Sequence, residues 1–213
     1  RDLGIKHAIT SRIEHHAVLH TLEELAKEEK IKLSFVDLND KGHINLTHLE
    51  ELLKSNKQSL VSLMHGNNEL GNLLPLKEVS ELCEKYNAVF HCDTVQTMAH
   101  YAFDMKKTNI HFITCAAHKF HGPKGVGFLY INSKVRIHPF IFGGSQERNM
   151  RGGTENVYGI VGLAKAMEIA YNLLDEHREQ ITALKNYMAE KLKTNIPDLK
   201  FNGDTLGDSL YTV

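Results

Sequence analysis

Short apolar runs alternate along the chain with stretches in which apolar residues recur every third or fourth position. The runs at 31–36, 60–64, 88–92, 111–115 and 125–131 predict β-strands. Between them, 47–55 predicts a helix, with Thr47 and Glu50 spaced as a capping box. A further helix is predicted over 75–86, where Pro75 suits the first turn. This alternation argues for an α/β domain with a mostly parallel sheet. In such sheets ligands bind beyond the carboxyl ends of the strands. The polar residues that follow each apolar run are therefore the ones to inspect.

From Glu155 the pattern becomes purely helical. Val157, Ile160, Val161, Ala164, Met167 and Tyr171 share one helix face. A second amphipathic stretch covers 175–193, and the sequence NIPD at 195–198 breaks it. The segment 200–204 reads as a strand running into a turn. The boundary between a large domain, 1–174, and the start of a second one, 175–213, is expected within 171–175.

Composition adds exclusions. The 25 basic and 26 acidic residues give a net charge of −1, so no basic excess draws nucleic acid or a membrane surface. No apolar run is long enough to span a bilayer. The first residues do not read as a signal peptide, and the missing initial Met suggests a piece of a longer chain. The three cysteines, Cys83, Cys92 and Cys115, have no CxxC spacing, so neither a disulfide framework nor a zinc site is expected. The 14 histidines show no metal-binding spacing, and a reducing cytoplasm fits.

Four polar clusters follow the predicted strands. In MHGNNELG, 64–71, the glycines permit tight turns and Asn67 and Asn68 offer amide donors. In HCDTVQ, 91–96, Asp93 directly after a buried strand is costly unless paired. It could hold a proton on a pyridine nitrogen, or simply cap a helix. In AAHKFHGPKGVG, 116–127, Lys119 is a candidate Schiff-base former if desolvation or a nearby cation lowers its pKa. Lys124 competes with it, but sits in a tight Pro–Gly setting where a structural or solvated role is expected. In GGSQERNMRGGT, 143–154, glycines with Arg, Ser and Thr could cradle a phosphate or form a loop.

The order of these clusters, preceded by EHHAV at 14–18, resembles the NifS/IscS group of cysteine desulfurases. These are fold-type I enzymes of the class V aminotransferase family that use pyridoxal 5'-phosphate (PLP). The resemblance runs from about Ile9 to Asn202. It implies an α/β, three-layer PLP-transferase large domain plus the start of a smaller α+β domain. By the same resemblance, Lys119 binds PLP covalently and His118 contacts the phosphate. Asp93 pairs with the pyridinium nitrogen, Gln96 and Asn68 approach the ring phenol oxygen, and His15 stacks on the ring and shuttles protons. Thr154 reaches the phosphate of a neighbouring subunit, which implies a homodimer. The reaction implied takes sulfur from L-cysteine onto an enzyme thiolate, leaves L-alanine, and passes sulfur to an acceptor such as an iron–sulfur scaffold protein.

Two departures stand out. The group usually carries Ser-Gly-His-Lys or Ser-Ala-His-Lys, whereas this chain has Ala116-Ala117-His118-Lys119, without the phosphate-binding hydroxyl. The catalytic cysteine loop and the substrate-binding arginine are expected beyond Val213, and a phosphate-binding Thr ahead of Arg1. Such a chain is not expected to complete desulfuration on its own, and PLP binding by it is left to a test for the absorption band of a bound aldimine. A selenocysteine lyase, another class V enzyme, or a catalytically silent scaffold protein share these features.

Overall fold

A computed structural model of the chain describes residues 2–205, 207 and 209–211. Six strands form one sheet in the order β2-β1-β3-β4-β5-β6. They are β1 His7–Thr10, β2 Lys32–Phe35, β3 Ser59–Met64, β4 Val89–Asp93, β5 Phe112–Ala116 and β6 Gly127–Ile131. The first five run parallel, and β6 pairs antiparallel to β5. The carboxyl ends of β1, β3, β4 and β5 therefore share one edge of the sheet. The helices that flank it are α1 His16–Lys27, α2 Leu46–Ser55, α3 Leu76–Lys85, the single turn α4 Gln146–Asn149, α5 Val157–Asn172 and α6 Leu174–Asn195.

The register sorts the side chains onto two unlike faces. One face carries Val61, Leu63, Phe90, Cys92 and Ile113, all buried, against Leu49, Leu53, Val79 and Cys83 of α2 and α3. Removing this apolar surface from water is the main drive to fold. The other face carries a hydrogen-bonded file across three strands. Ser62 Oγ lies 2.8 Å from His91 Nδ1, and Thr114 Oγ1 lies 3.4 Å from His91 Nε2. Asp93, two residues beyond His91, ends this file at the sheet edge.

Sequence and structure differ in three places. Strand β1 and helix α1 were not predicted. His7 interrupts the apolar signal of β1, yet it is buried because its two nitrogens meet Ser59 Oγ at 3.1 Å and Ser34 Oγ at 2.8 Å. The capping box at Thr47 does not form. Helix α2 starts at Leu46, and Asn45 caps it by accepting the His48 N–H at 3.1 Å. Asn is the stronger cap, and Glu50 instead bonds Lys85 and Tyr86, both at 2.7 Å. Residues 200–204 form a loop and turn, not a strand, because side-chain anchors replace a ladder. Asn72 Oδ1 accepts the Asp204 N–H at 3.1 Å, and the Asp204 carboxylate pairs with Lys41 and His43. Helices α5 and α6 meet at a bend of 72° around Leu173. Among the described residues, no single helix is long and apolar enough to cross a membrane.

Candidate active site

The first site loop leaves β1 and enters α1. His15 is the N-cap of α1, and its Nδ1 accepts the Ala17 N–H at 3.2 Å. That bond leaves the ring proton on Nε2. The ring is exposed.

The second loop leaves β3. Here Asn67, not Asn68, is the structural amide. Asn67 is buried, its Nδ2 donates to Ile13 O at 2.7 Å, and its Oδ1 accepts the N–H groups of Glu69 and Leu70. This frees Asn68, which is half-buried and lines a cleft of about 390 Å³ together with Arg12, Glu14, His15, Glu69 and Leu70. Gly66 is required by close approach: a Cβ there would lie 2.6 Å from Thr97 Cγ2 and 2.8 Å from Leu210 Cδ1.

The third loop leaves β4. Asp93 is 8% exposed, and its Oδ1 accepts the Val95 N–H at 2.9 Å. It caps a turn and not a helix, which leaves Oδ2 without a hydrogen-bond partner among the described residues. Gln96 is half-buried in that turn. The fourth loop leaves β5, where Ala117–Phe120 form one 3₁₀ turn that presents His118 and Lys119 to solvent. His121 closes the turn in the left-handed region, φ 65°. Lys124 is exposed beyond it.

Two contacts brace the lysine turn. Imidazole Nε2 of His100 donates to Lys119 O at 3.0 Å, so the segment after Asp93 is tied to the backbone of Lys119. Helix α5 packs on the same turn, with Gly162 close enough to Pro123 that a Cβ would meet its Cγ at 2.6 Å. Burial holds the pKa of His100 below the ordinary imidazole value, which keeps it neutral. Sequence reasoning missed His100, since nothing in its neighbours marks it.

His15, Asn68, Asp93, Gln96, His118 and Lys119 thus follow the carboxyl ends of four parallel strands at one edge. Thr154 does not join them. It is exposed in the loop before α5, and among the described residues it shares no hydrogen bond with the other candidates. In the glycine-rich loop, Gly143 and Gly152 pack backbone against backbone, since a Cβ on Gly152 would lie 2.7 Å from Gly143 Cα.

All three cysteines are buried. Burial pushes Cys83 up to about 12 and Cys115 up to about 11, and raises Cys92 well above the ordinary thiol value. All stay protonated at neutral pH, when only a thiolate attacks.

The set of groups at this edge is chemically specific: an amine, a carboxylate whose Oδ2 has no hydrogen-bond partner among the described residues, two imidazoles and two amides. It fits an aromatic aldehyde with a ring nitrogen and a phenol oxygen, the chemistry of PLP.

The aminotransferase class-V family profile matches residues 4–211. Cysteine desulfurase IscS of Clostridium botulinum is 42% identical over 197 residues, covering 92% of this chain and 49% of that protein. Putative cysteine desulfurase IscS 1 of Bacillus subtilis is 40% identical over 204 residues, covering 96% and 53%. Among solved structures, a NifS-like protein aligns with a TM-score of 0.85 at 40% identity, over 90% of this chain and 52% of that one. DndA from Streptomyces lividans aligns with a TM-score of 0.87 at 33% identity, over 98% and 58%. The chain spans about half the length of the curated relatives it matches. The sheet order, the flanking helices and these matches give the fold as that of the fold-type I PLP transferases, and the chain belongs to the class-V aminotransferase family.

Proposed function

We propose that this chain is the PLP-binding part of a cysteine desulfurase. One observation carries the reading. The buried carboxylate of Asp93 and the amine-bearing turn of Lys119 follow neighbouring parallel strands, and His100, seven residues after Asp93, bonds the Lys119 carbonyl. The names of the relatives support the substrate.

Lys119 provides the amine that anchors the cofactor, and once free it takes and returns a proton at the substrate Cα. Asp93 would hold the proton of the pyridinium nitrogen, and His15 would lie against the ring with Nε2–H available for proton transfer. Asn68 and Gln96 would donate to the phenol oxygen, and His118 to the phosphate. Bound PLP supplies an electron sink that weakens the Cβ–S bond of L-cysteine. The sulfur leaves onto a cysteine thiolate other than the three buried ones, with L-alanine as co-product. An acceptor such as an iron–sulfur scaffold protein then takes the sulfur, in the cytoplasm. Exposed Thr154 suits a contact to the phosphate of a second copy, making the enzyme a homodimer. The bend at Leu173 suits the boundary of a large domain, 1–174, and a second domain that begins at 175.

The test adds PLP to the protein and scans for the visible band of a protein-bound aldehyde. A band that vanishes in Lys119→Ala is expected. Absence of the band, or its survival in that variant, contradicts the reading. Turnover of L-cysteine against L-selenocysteine by the native protein separates desulfurase from selenocysteine lyase.

A further inference from the structure

Glu14 precedes His15 and has no part in the contacts proposed for the cofactor. It is 5% exposed, one of the most buried acids in the chain. Its Oε1 accepts two hydrogen bonds, from Ser11 Oγ at 2.8 Å and from the Met64 N–H at 3.1 Å. The carboxyl group therefore spans from the β1–α1 turn to the last residue of β3. Asn67 makes the same crossing in the opposite sense through Ile13 O. Oε2 is buried and has no hydrogen-bond partner among the described residues.

The groups around Glu14 do not favour a charge. Asp93 and Cys92 approach from the end of β4, and the charge of Asp93 acts on Glu14 directly. His43 faces it across a cavity of about 20 Å³, which Ser11, Asn67 and Asn72 also line. Arg12 and Glu69 lie on the outer cleft. Among the described residues, no cation pairs with Glu14. A second buried carboxylate charge beside Asp93 would go uncompensated. A neutral acid fits the hydrogen bonds, since a carbonyl-like Oε1 accepts twice. Glu14 also lines this small cavity, which has room for about one water.

We propose that Glu14 is an uncharged positioning residue whose carboxyl group clamps the turn carrying His15 onto the end of the strand that leads to Asn68. Burial first, then Asp93, push its pKa up to about 8, against the two hydrogen bonds that pull it down. The clamp fixes the backbone of His15, and the Ala17 N–H fixes its ring. The proposal rests on the reading that His15 covers the cofactor ring, but the clamp can be tested without cofactor.

The first measurement follows the His15 imidazole by NMR in cofactor-free protein, assigned by its loss in His15→Ala. Glu14→Ala is expected to move the His15 shifts and its titration, whereas Glu14→Gln, the same shape without charge, keeps the parental signals. Unchanged His15 signals in Glu14→Ala overturn the clamp, and a Gln variant as displaced as Ala overturns its neutrality. Should Glu14→Ala not fold, Glu14→Asp replaces it. The shorter side chain is expected to displace His15, and parental signals in Asp with displaced ones in Gln refute the proposal. The second measurement is PLP affinity. Glu14→Ala is expected to weaken it roughly tenfold or more, with no further loss when added to His15→Ala. Additive losses mean that Glu14 does not act through His15. If the parent binds no PLP, the proposed function fails while the NMR result still decides the clamp.

Discussion

The difference in stability between the parent and Glu14→Gln from pH 6.5 to 8 isolates the ionisation of Glu14. Its value in the folded protein, about 8, lies above the ordinary 4.5. Between these values the folded state holds one more proton than the unfolded chain, so stability falls as pH rises and levels off above 8. The buried histidines act in another window. Burial lowers His65 from 6.5 to about 4, and lowers His7, His91 and His111 as well. Their stabilisation is lost as pH falls through 6.5, and the tail of that titration still adds stability as pH rises from 6.5 to 8, in parent and Glu14 variants alike. The buried thiols are raised from 9, so they add nothing until pH exceeds that value. Across these one and a half pH units, at about 1.4 kcal/mol per unit for one proton and with Glu14 half ionised at pH 8, its ionisation should cost about 1.7 kcal/mol. Urea unfolding of the parent and of Glu14→Gln at pH 6.5 and at pH 8 reads this cost as the difference between their two pH dependences, because the histidines contribute equally to both. A parent whose stability changes with pH in parallel with Glu14→Gln refutes the assignment of a neutral, buried Glu14.

Two further outcomes follow from packing and capping. Asn45→Ala should cost about 1 kcal/mol in urea unfolding, while Thr47→Ala, exposed within the helix, should stay within roughly 0.5 kcal/mol. The reverse order restores the capping box. Gly66→Ala forces a methyl group onto Thr97 and Leu210 and should cost about 1–3 kcal/mol; a parental unfolding midpoint contradicts the close approach.

Five of the six strands were legible because their apolar runs are short and end in polar clusters. β1 was hidden by His7, whose burial depends on two serines far away in sequence, Ser34 and Ser59. The expected strand at 200–204 shows the converse. Its residues read as a strand running into a turn, but among the described residues they join no ladder, and Asn72 anchors the segment as a loop. The edge site was legible because each candidate directly follows a strand, and parallel pairing converts that sequence position into a shared place. What pairing cannot convey is burial and long-range bonding. HGNNE offers two similar amides, and only the Asn67–Ile13 bond decides which one is structural. Nothing in the sequence around Glu14 marks it as buried; its bond to Met64 places it inside the protein. His100 gains its role from a carbonyl 19 residues away.

The central claim concerns which amine meets the cofactor. Borohydride reduction of the protein with PLP, followed by peptide mass mapping, fixes the label on one side chain. The pyridoxyl mass is expected on the peptide bearing Lys119. Its appearance on Lys124 or another lysine instead, or on none, contradicts the account.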